Sequence, residues 1–133
     1  MKRARRTLAI AGSAAALLLM LGAATRPFVL ARAGGGLWEI DRVGPGQRAR
    51  LCLPDPNALA SIEHRGQACT RVIVREMPNS ALVHYTCTGG GFGQSQINAI
   101  TPRSLRIETQ GIAAKAPFQY TFQARRVGDC KAH

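Results

Sequence analysis

The sequence lacks several patterns that mark common binding and redox sites. None of its four cysteines belongs to a Cys-X-X-Cys pair, and no His-X-X-X-His spacing occurs. The first absence argues against a thiol oxidoreductase, and both argue against a metal site. Aromatic residues make up only 5% of the chain and are not interleaved with a concentrated basic patch, as nucleic-acid binding would favour. We therefore expect no metal, no cofactor and no nucleic-acid partner.

A catalytic constellation is also missing. No serine lies in the strained turn that often marks a nucleophile. Glu39, Asp41 and Glu108 are candidate acid and base groups, but Glu108 alternates with Arg106 on a polar strand face, which favours a solvated surface. We assign no catalytic residue. The alternative hypothesis is a small hydrolase or lyase that uses Glu39 or Glu108 with His84.

Acidic residues are few, and many basic ones lie near the start of the chain. Seven Asp and Glu stand against 18 Lys and Arg, which gives a formal charge of +11. Residues 2–6 are rich in Lys and Arg, and residues 8–24 carry no charge, a pattern typical of a secretory signal. The small residues of Ala31-Arg32-Ala33 predict cleavage after Ala33. Cleavage near Ala24 and an uncleaved membrane anchor are the alternatives. We thus predict a signal peptide over residues 1–33 and one domain over residues 34–133.

Removal of residues 1–33 lowers the positive charge. That segment holds six of the 18 basic residues, so the rest carries 12 against seven acids, a net +5. These charges are spread along the chain, which is typical of outward positions on strands. Attraction to an anionic envelope component or membrane surface is the functional interpretation.

The remaining chain alternates apolar and polar residues with the period of half-buried strands. The predicted strands span residues 36–43, 69–77, 81–88, 94–101, 104–110 and 117–127. Asn57 to His64 suit a short helix. Turns every eight to twelve residues predict an all-β antiparallel meander with one short helix, curled into a small barrel or sandwich. The aromatic residues that we place in its core are Trp38, Tyr85, Phe118, Tyr120 and Phe122.

The four cysteines predict two disulfides, since their number is even and an export signal precedes them. Strand parity places Cys87 and Cys130 on the inner face. Cys69 shares its parity with Arg71 and Arg75, which prefer water, so pairing it with Cys87 would need a β-bulge. We therefore favour the pairs Cys52–Cys69 and Cys87–Cys130.

The string Gly89-Gly90-Gly91-Phe92-Gly93 lies between two predicted strands. A phosphate-binding loop would need a strand before it and a helix after it, so we interpret it as a turn that requires positive φ, with Phe92 as an apolar anchor. Such a loop at the mouth of a barrel is also a candidate border of a ligand site.

Several strings in this order resemble a family of small exported proteobacterial proteins, the domain of unknown function thirty-six seventeen. They are Gly36-Leu-Trp-Glu-Ile40, Cys52-Leu53, Cys69, Tyr85-Thr-Cys-Thr-Gly89 and Arg126-Val-Gly-Asp-Cys130. The resemblance covers about residues 34–130. It implies residence in the periplasm of a Gram-negative bacterium and offers no established activity.

The favoured function is a non-catalytic periplasmic or envelope-associated binding module. Its partner would be anionic or amphipathic, and a purely structural envelope protein is a further alternative. The candidate binding residues are Gly89, Gly90, Gly91, Phe92, Gly93, Arg71, Arg75 and Arg106.

Overall fold

The computed structural model describes residues 26–131, so most of the predicted signal peptide lies outside the described residues. Two short helices and seven strands occur in this part of the chain. In order they are α1 (Phe28–Ala33), β1 (Gly36–Arg42), β2 (Arg48–Leu53), the 3₁₀-helix η1 (Pro56–His64), β3 (Cys69–Met77), β4 (Ser80–Cys87), β5 (Phe92–Thr101), β6 (Ser104–Ala113) and β7 (Ala116–Gly128). No helix among the described residues is long and apolar enough to cross a membrane.

The seven strands form one antiparallel sheet in the order β2-β1-β7-β6-β5-β4-β3. Strands β3 to β7 follow one another as a meander, and β7 then pairs with β1, which carries β2 on its other side. β2 and β3 are therefore open edges. The predicted antiparallel meander is confirmed, but the prediction of a barrel or sandwich is wrong, because the sheet neither closes nor curls strongly.

One face of the sheet, which we call the inner face, packs against α1 and η1. The alternation in β4 illustrates the division, since Ala81, Val83, Tyr85 and Cys87 are buried while His84 and Thr86 are exposed. Trp38 is fully buried on the same inner face. Burial of such side chains contributes about 1.5–3 kcal/mol each. The opposite, outer face carries no covering element among residues 26–131.

Helix η1 begins where the sequence predicts a helix. The Asp55 side chain accepts a hydrogen bond of 3.0 Å from the Asn57 amide, and Pro56 follows at the first helical position. The helix is kinked at Ser61, whose φ and ψ are not helical. Leu59 and Ile62 are buried against the sheet.

Helix α1 lies inside the segment that the sequence assigns to the signal peptide. Its residues Val29, Leu30 and Ala33 are only 1%, 0% and 5% exposed and belong to the hydrophobic core. Arg32 also donates a hydrogen bond to Asn79, in the turn between β3 and β4. The folded unit thus uses residues on the N-terminal side of the predicted cleavage point.

The two disulfides join Cys52 to Cys130 and Cys69 to Cys87. Two disulfides were expected, but the favoured pairs are wrong. Cys69 lies directly opposite Cys87 in the register of β3 and β4. The bulge that this pairing requires is present between Ile73 and Arg75, so Cys69 shares the inner face with Cys87 and Arg75 does not.

Candidate functional site

An open concavity lies on the outer face, at the end of β4 to β7. Its volume is about 730 Å³, and we call it the apolar pocket. Four strands contribute to it in register, since Thr86, Phe92, Ile112 and Pro117 stand opposite one another in turn. The complete lining consists of His84, Tyr85, Thr86, Phe92, Gly93, Gln94, Gln110, Gly111, Ile112, Pro117 and Phe118.

The apolar part of the lining is unusually accessible for its residue types. Phe92 is 50% exposed, and Ile112 is half-buried. Pro117 lies beside Ile112 and is also exposed. A concave surface of several hundred Å³ with apolar walls and a few polar groups is what small-molecule sites usually present.

The polar edge of the pocket is formed by an imidazole and two amides. His84 Nε2 lies 3.0 Å from Gln94 Oε1, so His84 donates and the Gln94 amide nitrogen remains available to other acceptors. Gln110 lies opposite Gln94 on the next strand and is exposed. The edge therefore offers hydrogen-bonding groups without a carboxylate.

The glycine-rich string forms the turn that begins the pocket. Gly90 has a φ of +91°, a left-handed conformation that favours glycine, as the sequence predicts. The Cys87 amide donates to the Gly91 carbonyl at 2.8 Å. A Cβ on Gly91 would lie 2.1 Å from His64 Nε2, and one on Gly93 would lie 2.6 Å from the Tyr85 hydroxyl. Because Gly91 and Gly93 have no Cβ, the side chains of His64 and Tyr85 can pack directly against the backbone behind the pocket.

A hydrogen-bonded pair occupies that position behind the pocket. His64 is 2% exposed, and its Nδ1 lies 3.0 Å from the Tyr85 hydroxyl oxygen. Its Nε2 lies 2.9 Å from the Ile112 carbonyl oxygen. Burial raises the pKa of the Tyr85 hydroxyl, an effect that a hydrogen bond with Thr109 partly opposes. The sequence alone places His64 at a helix end without predicting this contact.

A second buried polar group joins η1 to the middle of the sheet. Ser95 Oγ lies 2.7 Å from the Ala60 carbonyl oxygen and 2.9 Å from Thr109 Oγ1. Ser95 and Thr109 are 0% and 1% exposed. Buried hydroxyls need such partners, so these contacts fix η1 against β5 and β6.

Only part of the predicted binding set lies at the pocket. Phe92 and Gly93 line it, and Gly89 to Gly91 form the adjoining turn. The three arginines lie elsewhere. Arg75 is exposed on the edge strand β3, and Arg106 Nη2 lies 3.4 Å from Glu108 Oε1 on the outer face.

Arg71 faces inward, although we predicted that it faces water. Its Nη2 donates to Ser61 Oγ at 2.8 Å, beneath η1. Desolvation lowers the pKa of its guanidinium, an effect that Asp55 partly opposes. Arg71 therefore joins β3 to η1 and does not line the apolar pocket.

Besides Arg106, three arginines of the outer face form ion pairs with acidic side chains. Arg50 and Arg125 both contact Glu39, at 3.2 and 3.1 Å, and Arg48 lies 2.7 Å from Asp41.

The sheet order separates Glu39 on β1 from His84 on β4 by three intervening strands, or roughly 19 Å. Glu108 and His84 are separated by one strand. The structure does not bring either glutamate against His84.

Comparisons with protein-family models, with curated proteins and with solved structures found no match for this chain. The resemblance stated from the sequence strings therefore stays a prediction.

Proposed function

We propose that the protein is a non-catalytic binding module that holds an amphipathic ligand in the apolar pocket. The observation that carries this proposal is the accessible apolar wall formed by Phe92, Ile112 and Pro117 beside the polar edge of His84 and Gln94. Burial of apolar ligand surface against that wall supplies affinity, and the polar edge orients the ligand.

The charge distribution favours an amphipathic ligand over a purely anionic one. Four arginines of the outer face, namely Arg48, Arg50, Arg106 and Arg125, contact carboxylates. Each carboxylate reduces the field that an anion would meet. Exposed pairs of this kind contribute little energy and are screened by salt.

The arrangement supports binding more than catalysis. The pocket lining includes one histidine and no carboxylate, serine or cysteine. The other titratable group of the lining, Tyr85, makes its hydrogen bond with the buried His64, 3.0 Å from Nδ1, and not with His84. Gln94, the group that His84 contacts, does not titrate.

We also propose that the protein is exported to the periplasm, consistent with its family resemblance and its two disulfides. The burial of Val29, Leu30 and Ala33 supports a leader that ends near Ala24 over one that ends at Ala33. An uncleaved anchor would also keep α1 in place.

A titration with tetraethylene glycol monooctyl ether tests the pocket. This uncharged amphiphile is added below its micelle concentration, and amide NMR shifts report the binding residues. We expect shifts at the pocket ends of β4 to β7. Ile112→Ser should weaken binding on the order of tenfold, because it removes an apolar wall.

Ile100→Ser is the matched control, because Ile100 is 65% exposed at the opposite end of β5. It should leave the affinity unchanged. Saturable binding that both variants weaken equally, or no binding at all, would overturn the proposal. The second result favours a purely structural envelope protein.

A further inference from the structure

A second, polar groove continues from the apolar pocket across the outer face. Its volume is about 240 Å³. Gln94 and Gln110 line both concavities, so a single ligand can extend from one into the other. We call this continuation the amide groove. The side chains that matter for its chemistry are Gln94, Gln96, Gln110, Gln119, Thr121 and Glu108.

The amides form a row that the strand register creates. Gln94, Gln110 and Gln119 stand opposite one another on β5, β6 and β7. Adjacent strands lie ~4.8 Å apart, so the row presents an amide at each such step. Each glutamine carries a two-lone-pair oxygen and an NH₂ group, and can therefore donate and accept at once. Neighbouring hydroxyl groups of a sugar need this combination.

The groove has almost no net charge. Its one ionisable carboxylate, Glu108, lies 3.4 Å from Arg106. An anionic head group in the groove would meet the Glu108 carboxylate, whereas the ion pair with Arg106, which lies outside the groove, weakens the attraction of Glu108 for a cationic one. A neutral, hydroxyl-rich head group is subject to neither effect, and it can replace the water that now solvates the amides.

From this continuity, and resting on the proposed function, we propose that the amide groove binds the polyhydroxylated head of a neutral sugar amphiphile. The alkyl tail of that molecule lies in the apolar pocket against Phe92 and Ile112. The ligand class is therefore an alkyl glycoside or glycolipid.

The competing hypothesis is an amphiphile whose anionic head group lies at the β6–β7 turn and not in the amide groove. Lys115 lies in the turn between β6 and β7, next to the pocket residues Ile112 and Pro117. Its side chain is exposed, so an ion pair there is weak and screened by salt. We expect it to select an anionic head less strongly than the amide row selects a sugar.

Calorimetric titration of the whole folded protein with three octyl ligands separates these possibilities. The ligands are octyl β-glucoside, octanoate and tetraethylene glycol monooctyl ether, each used below its micelle concentration. We expect octyl glucoside to bind about tenfold more tightly than the other two. Gln94→Ala and Gln110→Ala should each weaken glucoside binding roughly fivefold, the effect of one lost hydrogen bond. Gln119→Ala, which lies in the amide groove but not in the apolar pocket, should weaken glucoside binding to a similar extent and leave binding of the ether within about twofold.

Gln123→Ala is the matched control, since Gln123 is an exposed amide on β7 outside the groove. It should change no affinity. Equal affinity for all three ligands would overturn the sugar assignment and leave the proposed pocket intact. Preference for octanoate that Lys115→Gln abolishes would overturn it in favour of the anionic ligand. Failure of all three to bind would overturn both proposals.

Discussion

His64 on η1 and Tyr85 on β4 form a buried hydrogen bond in which the two atoms, Nδ1 and the hydroxyl oxygen, lie 3.0 Å apart. The Ile112 carbonyl on β6, 2.9 Å from Nε2, can only accept, so Nε2 carries a proton. The Tyr85 hydroxyl is the partner of the other ring nitrogen, Nδ1. One imidazole thus joins η1, β4 and β6 at the end of the sheet that carries the apolar pocket.

Gly91 allows that imidazole to sit against the β4–β5 turn. A Cβ at this position would lie 2.1 Å from His64 Nε2 and 2.3 Å from Cδ2. We expect Gly91→Ala to lower the free energy of unfolding by about 1–3 kcal/mol, because the ring has to move. Urea denaturation measures the change. Gly128→Ala is the control, since its Cβ meets nothing within 4 Å. Equal losses in the two variants would contradict this account.

The Tyr85 hydroxyl makes stability depend on alkaline pH. Burial raises its pKa in the folded protein, whereas the unfolded-state value is ~10. Above pH ~10 the unfolded chain loses this proton while the folded protein still holds it. Stability from this group is therefore complete below pH ~10 and falls as the pH rises through the folded-state pKa.

Urea midpoints measured between pH 8 and pH 11.5 test this expectation. Tyr85→Phe should be less stable at pH 8, by about 1 kcal/mol for the lost hydrogen bond, and should show a shallower alkaline decline. Parallel curves for the wild type and Tyr85→Phe would show that Tyr85 does not titrate as described.

The sequence predicted the meander because its strands alternate clearly. The inward set of β7 includes Phe122 and Ala124, as parity required. Strand β2 was missed because Arg48 to Cys52 are mostly exposed at an edge of the sheet and show no clean alternation. The prediction of closure failed because strand patterns do not fix curvature. Phe92 and Gly93 were found as site residues from a local string.

The rest of the site depends on register, which a single sequence specifies weakly. Ile112, Pro117 and the amide row come together only because four strands, β4 to β7, are aligned in a particular way. The inward turn of Arg71 has the same origin. The β-bulge after Ile73 places Arg71 and Arg75 on opposite faces of β3. Ser61, buried on η1, accepts a hydrogen bond from Arg71.

The two disulfides close loops of very different length. Cys52–Cys130 spans 78 residues and Cys69–Cys87 spans 18. In the loop-entropy model the longer bridge contributes about 4–5 kcal/mol and the shorter about 3 kcal/mol. We expect Cys52→Ala with Cys130→Ala to lower the unfolding free energy more than Cys69→Ala with Cys87→Ala. Urea denaturation compares the double variants.

A non-reducing peptide map checks the connectivity before that comparison. It should recover the peptide containing Cys52 linked to that containing Cys130. Recovery of Cys52 linked to Cys69 would refute the pairing described above. A larger loss from the short-loop double variant would instead show that packing at the half-buried Cys69 and buried Cys87 outweighs loop entropy.

Helix α1 supplies the last test, because it bears on both the fold and the export of the protein. Leu30 is fully buried in the core, whereas Phe28 on the same helix is 57% exposed. Leu30→Ala should cost about 2–5 kcal/mol of stability, and Phe28→Ala about 0.5 kcal/mol or less. A chain that starts at Gly34 should lose at least as much as Leu30→Ala. If the folded exported protein begins with residue 34 and is as stable as a chain that begins at Arg26, then α1 is dispensable and the leader ends at Ala33. We expect instead that the exported protein retains Arg26 and α1, because cleavage after Ala33 would remove Val29, Leu30 and Ala33 from the core.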